Sequence, residues 1–245
     1  QRQMCIRDSI IGATSGIGQE VARLLVKQGW HIGVSGRREE ALRDFQRIAP
    51  RQIEIQPLDI TREDALLHLQ TLIEKLGGMD LFLLSSGIGS QNPTLQPEVE
   101  INTARTNVEG FIRMTTAAFN YFKAKGGGHI AVISSIAGTK GLGIAPAYSA
   151  TKRFQNTYID ALAQLTHMEH LNIRFTDIRP GFVATDLLKN GNYPMLMQTD
   201  RVARYIVKAL DRKKRITIID GRYRILVFFW RLIPRWLWER FPIKN

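Results

Sequence analysis

Short apolar segments alternate with amphipathic helical patterns along most of the chain, and this alternation restricts the fold more than any other feature. In one such pattern Ile17, Val21 and Leu24 fall on a single helical face. Strands that alternate with helices are typical of a parallel sheet covered by helices on both faces. The predicted strands are His31–Gly36, Ile53–Pro57, Leu81–Ser85, His129–Ser134, Ile173–Ile178 and Ile216–Ile219.

The length of 245 residues suits one large α/β domain, and no linker or internal repeat divides the chain. We therefore predict a single domain over residues 10–245. Residues 1–9 are polar where a buried strand should run into Ile10. Met4 to Ser9 back-translates to ATG TGT ATA AGA GAC AG, which resembles a transposon end used in preparing sequencing libraries. We interpret residues 1–9 as a non-native segment in place of the true start, with a natural polar N-terminus as the alternative.

A glycine-rich turn at the junction of the first strand and the first helix predicts a phosphate-binding loop. Glycines recur as Gly12-x-x-x-Gly16-x-Gly18. Small residues let the chain turn sharply and bring N–H groups close to a pyrophosphate, while the helix N-terminus adds partial positive charge. A glycine-rich turn without a ligand is the alternative, but the position at a strand–helix junction favours binding. The residues assigned to this loop are Gly12, Thr14, Ser15, Gly16, Ile17 and Gly18.

Two arginines, Arg37 and Arg38, follow the second predicted strand and bear on the choice of dinucleotide. In folds of this kind an acidic residue here bonds the ribose hydroxyls of NAD, whereas an arginine accommodates the additional phosphate of NADP. No Asp or Glu occupies the strand end, and guanidinium groups bind phosphate through paired hydrogen bonds. The alternative is two solvated charges at a helix start, a placement that the helix dipole disfavours. We therefore predict NADP(H) in preference to NAD(H).

Tyr148 and Lys152 lie one helical turn apart and predict a proton-transfer pair. A neighbouring ammonium lowers the pKa of a phenol from its usual value of about 10, toward working pH. Taken alone, the pair is equally well explained as surface decoration. Ser135 closes an apolar strand, where reactive groups gather in a parallel sheet, and a serine there can donate to a substrate oxygen. Asn107 lies inside a helical stretch, which is an awkward place for an asparagine without a role.

Together these motifs resemble the short-chain dehydrogenase/reductase family in its ordinary single-domain form, over about Ile10 to Leu210. The resemblance implies a Rossmann-type doubly wound parallel sheet, with strand order 3-2-1-4-5-6-7 and helices on both faces. It also implies a hydride transfer between nicotinamide and a carbonyl/alcohol pair. Further residues that match the family's motifs are Asp59, Ser86, Gly87, Pro180, Gly181, Val183 and Thr185.

The resemblance also implies a role for each matched residue. Tyr148 exchanges a proton with the substrate oxygen, and Lys152 lowers the tyrosine pKa and holds the nicotinamide ribose. Ser135 orients and polarises the carbonyl, and Asn107 keeps a proton-relay water in place. The remaining cofactor contacts are Asp59 at the adenine and Thr185 at the carboxamide end, with Pro180, Gly181 and Val183 in the same loop as Thr185.

The loop after the fourth strand departs from the family pattern. It reads Leu84-Ser85-Ser86-Gly87, where the family usually has Asn-Asn-Ala-Gly. Serine can still bond the backbone, so Ser86 and Gly87 stay assigned to the cofactor. Ile11 stands where a Thr or Ser often precedes the first loop glycine. Neither departure touches the catalytic residues.

Two weaker patterns concern metals and the substrate. His167 and His170 have helical spacing but no third ligand nearby, so no metal site is predicted. An apolar lid after the Pro-Gly turn would suit an apolar, adaptable substrate pocket, with ordinary packing as an equal alternative. The lid residues are Leu187, Leu188, Tyr193, Met195, Leu196 and Met197.

The C-terminal extension, residues 222–245, combines basic and aromatic side chains. Between Arg212 and Asn245, ten Lys and Arg face two acids, so this end carries +8 of the net +12. A basic end on a nearly balanced body indicates an anionic partner surface rather than nucleic acid. The apolar stretch is too short and too charged to span a bilayer, which needs about 20 apolar residues. An interfacial helix on an anionic membrane therefore competes with packing on the core or on another subunit.

These observations predict an NADPH-dependent oxidoreductase for a carbonyl or alcohol group of an apolar small molecule. One alternative is a catalytically weak NADP-binding scaffold that docks to a membrane. Another is a reductase of acyl chains on an acidic carrier protein. We also expect a homo-oligomer and a cytoplasmic location, at the inner face of a membrane if the extension docks there. The single cysteine, Cys5, fits a reducing compartment.

Overall fold

The computed structural model describes residues 7–188 and 193–242. Within them one parallel sheet has seven strands in the order β3-β2-β1-β4-β5-β6-β7. The predicted doubly wound parallel sheet is confirmed, including its strand order. The strands are β1 (Arg7–Ile11), β2 (His31–Gly36), β3 (Ile53–Pro57), β4 (Leu81–Leu84), β5 (Gly128–Ile133), β6 (Ile173–Arg179) and β7 (Ile216–Ile218).

Helices cover both faces of the sheet, and a separate apolar core fills the space beneath each layer. One core joins the sheet to α1, α2, α7 and α8, and the other joins it to α3, α5 and α6. A π-helical turn (Arg105–Gly110) links α4 to α5, and a 3₁₀ turn (Ile136–Thr139) follows β5. The helices are α1 (Gly16–Lys27), α2 (Glu39–Gln46), α3 (Ala65–Leu76), α4 (Pro97–Ala104), α5 (Phe111–Lys125), α6 (Pro146–Met168), α7 (Thr199–Asp211), α8 (Gly221–Leu232) and α9 (Arg235–Trp238).

The strand order reverses at β1, which pairs with β2 on one side and β4 on the other. In an open α/β sheet the loops beyond the carboxyl ends diverge at such a reversal and leave a crevice. Here the crevice lies between the loop after Ile11 and the loop after Leu84. The glycine-rich turn and the Ser85-Ser86-Gly87 segment therefore meet at one edge of the sheet.

Strand β1 begins at Arg7, so it includes three residues that the sequence pattern placed before the domain. Asp8 and Ser9 are fully buried, and neither the Asp8 carboxylate oxygens nor the Ser9 hydroxyl has a hydrogen-bond partner. Burial, followed by the charges of Asp80 and Asp211, raises the pKa of Asp8 well above its usual value. These unmatched polar groups support the proposal that residues 7–9 are not the original residues of this strand. Residues 1–6 lie outside the described residues.

A helix that crosses a bilayer needs about 20 predominantly apolar residues. Across residues 7–188 and 193–242, no helix is both long enough and apolar enough to cross a bilayer.

Candidate active site

The glycine-rich turn after β1 is packed against the loop after β4. Gly12 has a φ of 93°, and a Cβ at this position would come within 2.6 Å of the Ser86 amide nitrogen. The Gly12 and Ala13 N–H groups both donate to Ser35 O, at 2.8 and 2.9 Å, which ties the turn to β2. Gly16, with a φ of 59°, opens α1. Only glycine fits this cradle without strain, and the resulting close backbone approach is what a pyrophosphate requires.

Arg38 reaches back from the end of β2 to the glycine-rich turn. Its Nη2 atom donates to Thr14 O at 3.1 Å and lies 3.3 Å from Thr14 Oγ1. Arg37 and Arg38 are both exposed. The first acid of α2, Glu39, is engaged by Arg43 at 2.6 Å. The Arg38 guanidinium thus borders the turn, and the neighbouring Arg37 is exposed at the same strand end. Guanidinium groups in such a position can bind a phosphate.

Asp59 and Thr185 follow different strands, β3 and β6. Asp59 follows β3, and its Oδ1 atom accepts hydrogen bonds from Thr61 N (2.9 Å) and Thr61 Oγ1 (2.7 Å). Thr185 lies beside the glycine-rich turn, since a Cβ at Gly16 would come within 3.3 Å of its methyl carbon. Thr185 is therefore brought to the turn, whereas Asp59 lies beyond β3.

Gly87 is held between two of the predicted catalytic residues. A Cβ added to it would lie 3.3 Å from both Asn107 Oδ1 and Lys152 Nζ. The Ser85 and Ser86 N–H groups both donate to Ile11 O, at 2.8 and 3.0 Å. The departure from the family pattern therefore leaves this loop anchored to β1.

Asn107 lies in the π-helical turn and is fully buried. Its Oδ1 atom accepts from Ile88 N at 2.9 Å, while its Nδ2 atom donates to Ile88 O at 2.7 Å and to Thr151 Oγ1 at 3.1 Å. The amide thus clamps the loop after β4 to α6. The wider turn accommodates this inward side chain within a helix.

Ser135 and Tyr148 bring their hydroxyl groups together. Ser135 follows β5 and is buried, and its Oγ atom lies 3.4 Å from Pro180 O. Tyr148 as a whole residue is partly exposed, but its phenol group is buried. This burial raises the pKa of Tyr148 above its usual value, and the hydrogen bond from Ser135 acts in the opposite direction. The expectation from sequence was a lowered pKa. The structure differs because removing the phenol from water outweighs the stabilisation of its charged form.

Lys152 is buried beside the tyrosine. Its Nζ atom lies 5.7 Å from the centre of the Tyr148 ring and donates to Ile133 O at 3.1 Å. Burial lowers the pKa of Lys152 to about 8, and the charge of Asp177 acts in the opposite direction. At neutral pH the ammonium is therefore still present, close to the phenol.

Gln155, which the sequence patterns did not single out, connects two of the predicted catalytic residues, Lys152 and Asn107. It is buried one turn after Lys152. Its Oε1 atom accepts from Lys152 Nζ at 3.1 Å, and its Nε2 atom donates to Asn107 O at 2.9 Å. The only signal in the sequence was an amide three residues after the lysine on the same helical face. Such an amide is uninformative until its neighbours are known.

Tyr223 of α8 is the second residue that the sequence patterns missed. It is fully buried, and its ring fills the space that a side chain on Gly181 would need. Its hydroxyl oxygen accepts from Phe182 N at 3.1 Å and lies 3.0 Å from Pro194 O and 3.2 Å from Met195 O. Through Tyr223, helix α8 therefore holds both Phe182 and the backbone at Pro194 and Met195.

The predicted lid is only partly apolar packing. Leu187 and Leu196 are exposed, whereas Met197 is buried and forms a bridge with Val183. Tyr193 packs its ring against Phe182, with ring centres 5.0 Å apart. Residues 189–192 lie outside the described residues. The described part of the lid therefore has exposed leucines beside the buried pair Met197 and Val183.

The predicted site residues thus come from distant parts of the chain to one crevice. A glycine cradle bordered by Arg38 lies at one end, and a serine, a tyrosine and a lysine lie beyond the loop after β4. A dinucleotide fold that carries a hydroxyl, a phenol and an amine at the carboxyl ends of its strands defines a class of nucleotide-dependent oxidoreductases. Among residues 7–188 and 193–242, no group of three metal-ligating side chains is present.

Comparison with known proteins identifies the family. Residues 9–194 match the family model described as short chain dehydrogenase. An uncharacterized oxidoreductase of Myxococcus xanthus is 32% identical over 219 residues, which are 86% of each chain. The chain therefore belongs to the short-chain dehydrogenase family. The predicted family and the predicted oxidoreductase class are confirmed.

Solved structures with low sequence identity share the fold. A 3-ketoacyl-(acyl-carrier-protein) reductase from Brucella melitensis, complexed with NADH, has a TM-score of 0.78 at 22% identity, over 88% of this chain and 97% of that one. An actinorhodin polyketide ketoreductase with NADPH has a TM-score of 0.76 at 23% identity, over 88% and 96%. The two neighbours carry different nicotinamide dinucleotides on the same sheet.

Proposed function

We propose that this enzyme reduces a carbonyl group of an apolar small molecule with NADPH, or oxidises the corresponding alcohol with NADP. The observation that carries the proposal is the meeting of the Ser135 and Tyr148 hydroxyl groups beside the Lys152 ammonium. A hydroxyl and a phenol that converge at one point can both bind a single substrate oxygen. A scaffold without catalysis has no need of this arrangement.

In the reductive direction Tyr148 is the proton donor. Because its pKa is raised, the phenol keeps its proton at neutral pH until the substrate oxygen becomes basic. Ser135 donates a second hydrogen bond to the same oxygen and stabilises the charge that develops there. The Lys152 ammonium stabilises the phenolate that remains. The nicotinamide, when bound, supplies the hydride for the carbonyl carbon.

The chain's residues fit a dinucleotide with an additional phosphate. Gly12 and Gly16 provide the close backbone approach, and the N-terminus of α1 points its free N–H groups into the turn. Arg37 and Arg38 are exposed at the end of β2, where the ribose phosphate of NADP would lie. Lys152 and Gly87 are close together at the other end, where the nicotinamide ribose would be held.

The Tyr148→Phe variant tests the proposal. Turnover of a carbonyl substrate, chosen from a panel by the loss of NADPH absorbance, should fall by roughly 10²- to 10⁴-fold because only the proton donor is removed. The dissociation constant for NADPH, measured by fluorescence titration, should stay close to that of the wild-type enzyme. Full activity in this variant would remove the assignment of Tyr148.

The alternative substrate is an acyl group bound to an acidic carrier protein. The reductase of Brucella melitensis acts on carrier-bound acyl groups, and a basic face would also suit an acidic carrier. A carrier-bound substrate is distinguished by a much lower KM than that of the same acyl group without carrier.

A homo-oligomer and a cytoplasmic location stay predictions, and light scattering of the purified protein tests the oligomeric state.

A further inference from the structure

Helix α8 has two apolar faces, and only one of them is covered. Tyr223, Leu226, Val227 and Trp230 follow the i, i+3, i+4, i+7 spacing and pack on the core. A second stripe with the same spacing lies on the opposite side of the helix, and each of its residues is more than half exposed. This outer stripe consists of Ile225, Phe228, Phe229 and Leu232.

The exposed apolar surface continues beyond α8 and is accompanied by arginines. Trp236 and Phe241 are also more than half exposed. We call the outer stripe together with these two residues the tail surface. The neighbouring arginines outnumber the acids, since Glu239 is the single acid between Gly221 and Pro242 and is bound by Arg235 at 2.8 Å. The arginines that border the tail surface without such a partner are Arg224, Arg231 and Arg240.

A basic cleft lies beside the tail surface. It has a volume of about 440 Å³, and Arg231 of α8 is part of its wall. The acidic residue in the cleft wall, Asp160, forms a salt bridge with Arg215 at 2.6 Å. The cationic residues that line the cleft are Lys140, Arg153, Arg179 and Arg231. Arg179 is paired with the buried Asp177 at 2.6 Å, so the basic character of the cleft comes from the other three. One wall residue thus belongs both to the cleft and to the rim of the apolar surface.

We propose that the tail surface docks on an anionic lipid bilayer, with lipid headgroups meeting the basic cleft and the bordering arginines. Aromatic and aliphatic side chains beside arginines are the composition of helices that lie in a bilayer interface. A bilayer offers an apolar layer beside anionic headgroups, and α8 carries an apolar stripe beside arginines. The docking goes beyond the proposed reaction and does not depend on it.

A second copy of the chain is a poor occupant for this surface. In a twofold interface the same patch faces itself, so Arg224 and Arg231 of both copies would be gathered at one interface. Like charges across an interface are unfavourable, and among the described residues of α8 and α9 and their caps the two acids, Asp220 and Glu239, already pair with Arg222 and Arg235. Charge complementarity therefore favours an anionic partner.

Docking would bring the lipid close to the substrate side of the enzyme. The inner face of α8 holds Phe182 and the segment at Pro194 through Tyr223. Trp238 Nε1 donates to Gly141 O at 2.7 Å, and Lys140 Nζ donates to Ile233 O at 2.8 Å. The loop that connects Ser135 to Tyr148 is thus fastened to the same helices that carry the tail surface.

Vesicle flotation tests the proposal on the whole chain. The probes are vesicles of phosphatidylcholine alone and vesicles of equal parts phosphatidylcholine and phosphatidylglycerol. The wild-type protein should float with the second kind only, and added salt should weaken this binding. Deleting the extension is unsuitable because it would remove Tyr223, so point variants of the outer face are used.

Two double variants and one matched control separate the contributions. Phe228→Ser with Phe229→Ser should lower the partition coefficient by more than about tenfold, because two rings leave the bilayer. Arg224→Gln with Arg231→Gln should lower it by roughly 30-fold on anionic vesicles. The control is Leu66→Ser with Leu67→Ser on α3, another exposed apolar pair, which should bind as the wild type does. Thermal unfolding confirms that each variant is folded.

Three outcomes would overturn the proposal. The first is a wild-type protein that does not float with anionic vesicles, including one that binds an acidic carrier protein instead. The second is equal binding of the α3 control and the phenylalanine variant. The third is a wild-type dimer that the phenylalanine variant converts to a monomer, because the surface would then be an interface between copies. If the phenylalanine variant does not fold, the arginine variant decides the result.

Discussion

Lys152 Nζ donates a hydrogen bond to Gln155 Oε1 across 3.1 Å. The other end of the same amide donates to Asn107 O at 2.9 Å, so a side chain connects the lysine to the π-helical turn. The family resemblance placed a water held by Asn107 in the proton relay. In this protein the Gln155 amide stands between Asn107 and Lys152, and it orients the ammonium toward Tyr148 and Gly87. We therefore infer that Gln155 is a positioning residue for Lys152, the proposed catalytic lysine.

We expect the Gln155→Leu variant to lower kcat by about tenfold, because Lys152 loses an acceptor for its charged form. The pKa of Lys152 should fall further, and Gln155→Glu should raise it by adding a negative charge. The alkaline limb of the kcat/KM profile should accordingly move to lower pH in the first variant and to higher pH in the second. The same alkaline limb in all three proteins would leave Gln155 with only a packing role.

The wild-type pH profile should reflect the lysine rather than the tyrosine. Because the pKa of Lys152 is about 8 and that of Tyr148 is raised, the lysine loses its proton first as pH rises. For carbonyl reduction we expect kcat/KM to be constant near pH 7 and to fall as pH increases through about 8. Lys152→Arg keeps its charge at all these pH values, so its profile should lack this limb. An unchanged limb in that variant would assign the titration to another group.

Replacing Arg37 and Arg38 by alanine tests the choice of dinucleotide. The Kd for NADPH should rise by about tenfold or more, since charge-assisted bonds to a phosphate are lost. The Kd for NADH should change little, because it has no phosphate at this ribose. Fluorescence titration with both dinucleotides measures the two values. Equal losses for NADPH and NADH would remove the basis for proposing NADPH.

Asp8→Val should raise the free energy of unfolding at pH 7 by about 2 kcal/mol, because a buried carboxyl without partners is replaced by an apolar side chain. The pKa of Asp8 is raised in the folded state, so the folded protein holds this proton more tightly than the unfolded chain. The wild-type contribution is thus most favourable below about pH 4 and is lost as pH rises.

The difference between variant and wild type should therefore widen from pH 4 to pH 7 in urea denaturation. Asp44→Ala, an exposed site on α2, should show no comparable change. A variant that is no more stable than the wild type would indicate that Asp8 has partners in solution.

Much of the fold could be predicted from periodicity alone. The predicted bounds of β2 and β3 agree with the structure to the residue, because both strands are bracketed by turn residues. A buried strand was expected to run into Ile10, although Arg7-Asp8-Ser9 lacks the apolar pattern of such a strand, and β1 includes these three residues. Backbone pairing with β2 and β4 extends the strand through these residues regardless of their side chains.

The sequence by itself determined the parts of the site that depend on local spacing: the glycine turn at a strand–helix junction, the serine at a strand end, and Tyr148 one turn before Lys152. Each of these features lies within one element or at one junction, so it can be predicted without knowing which distant residues lie nearby. The tertiary structure alone decided the bridge from Gln155 to Asn107, the seat of Tyr223 against Gly181, and the raised pKa of Tyr148. Those properties arise from burial and from contacts between residues 40 or more positions apart, which no local pattern encodes.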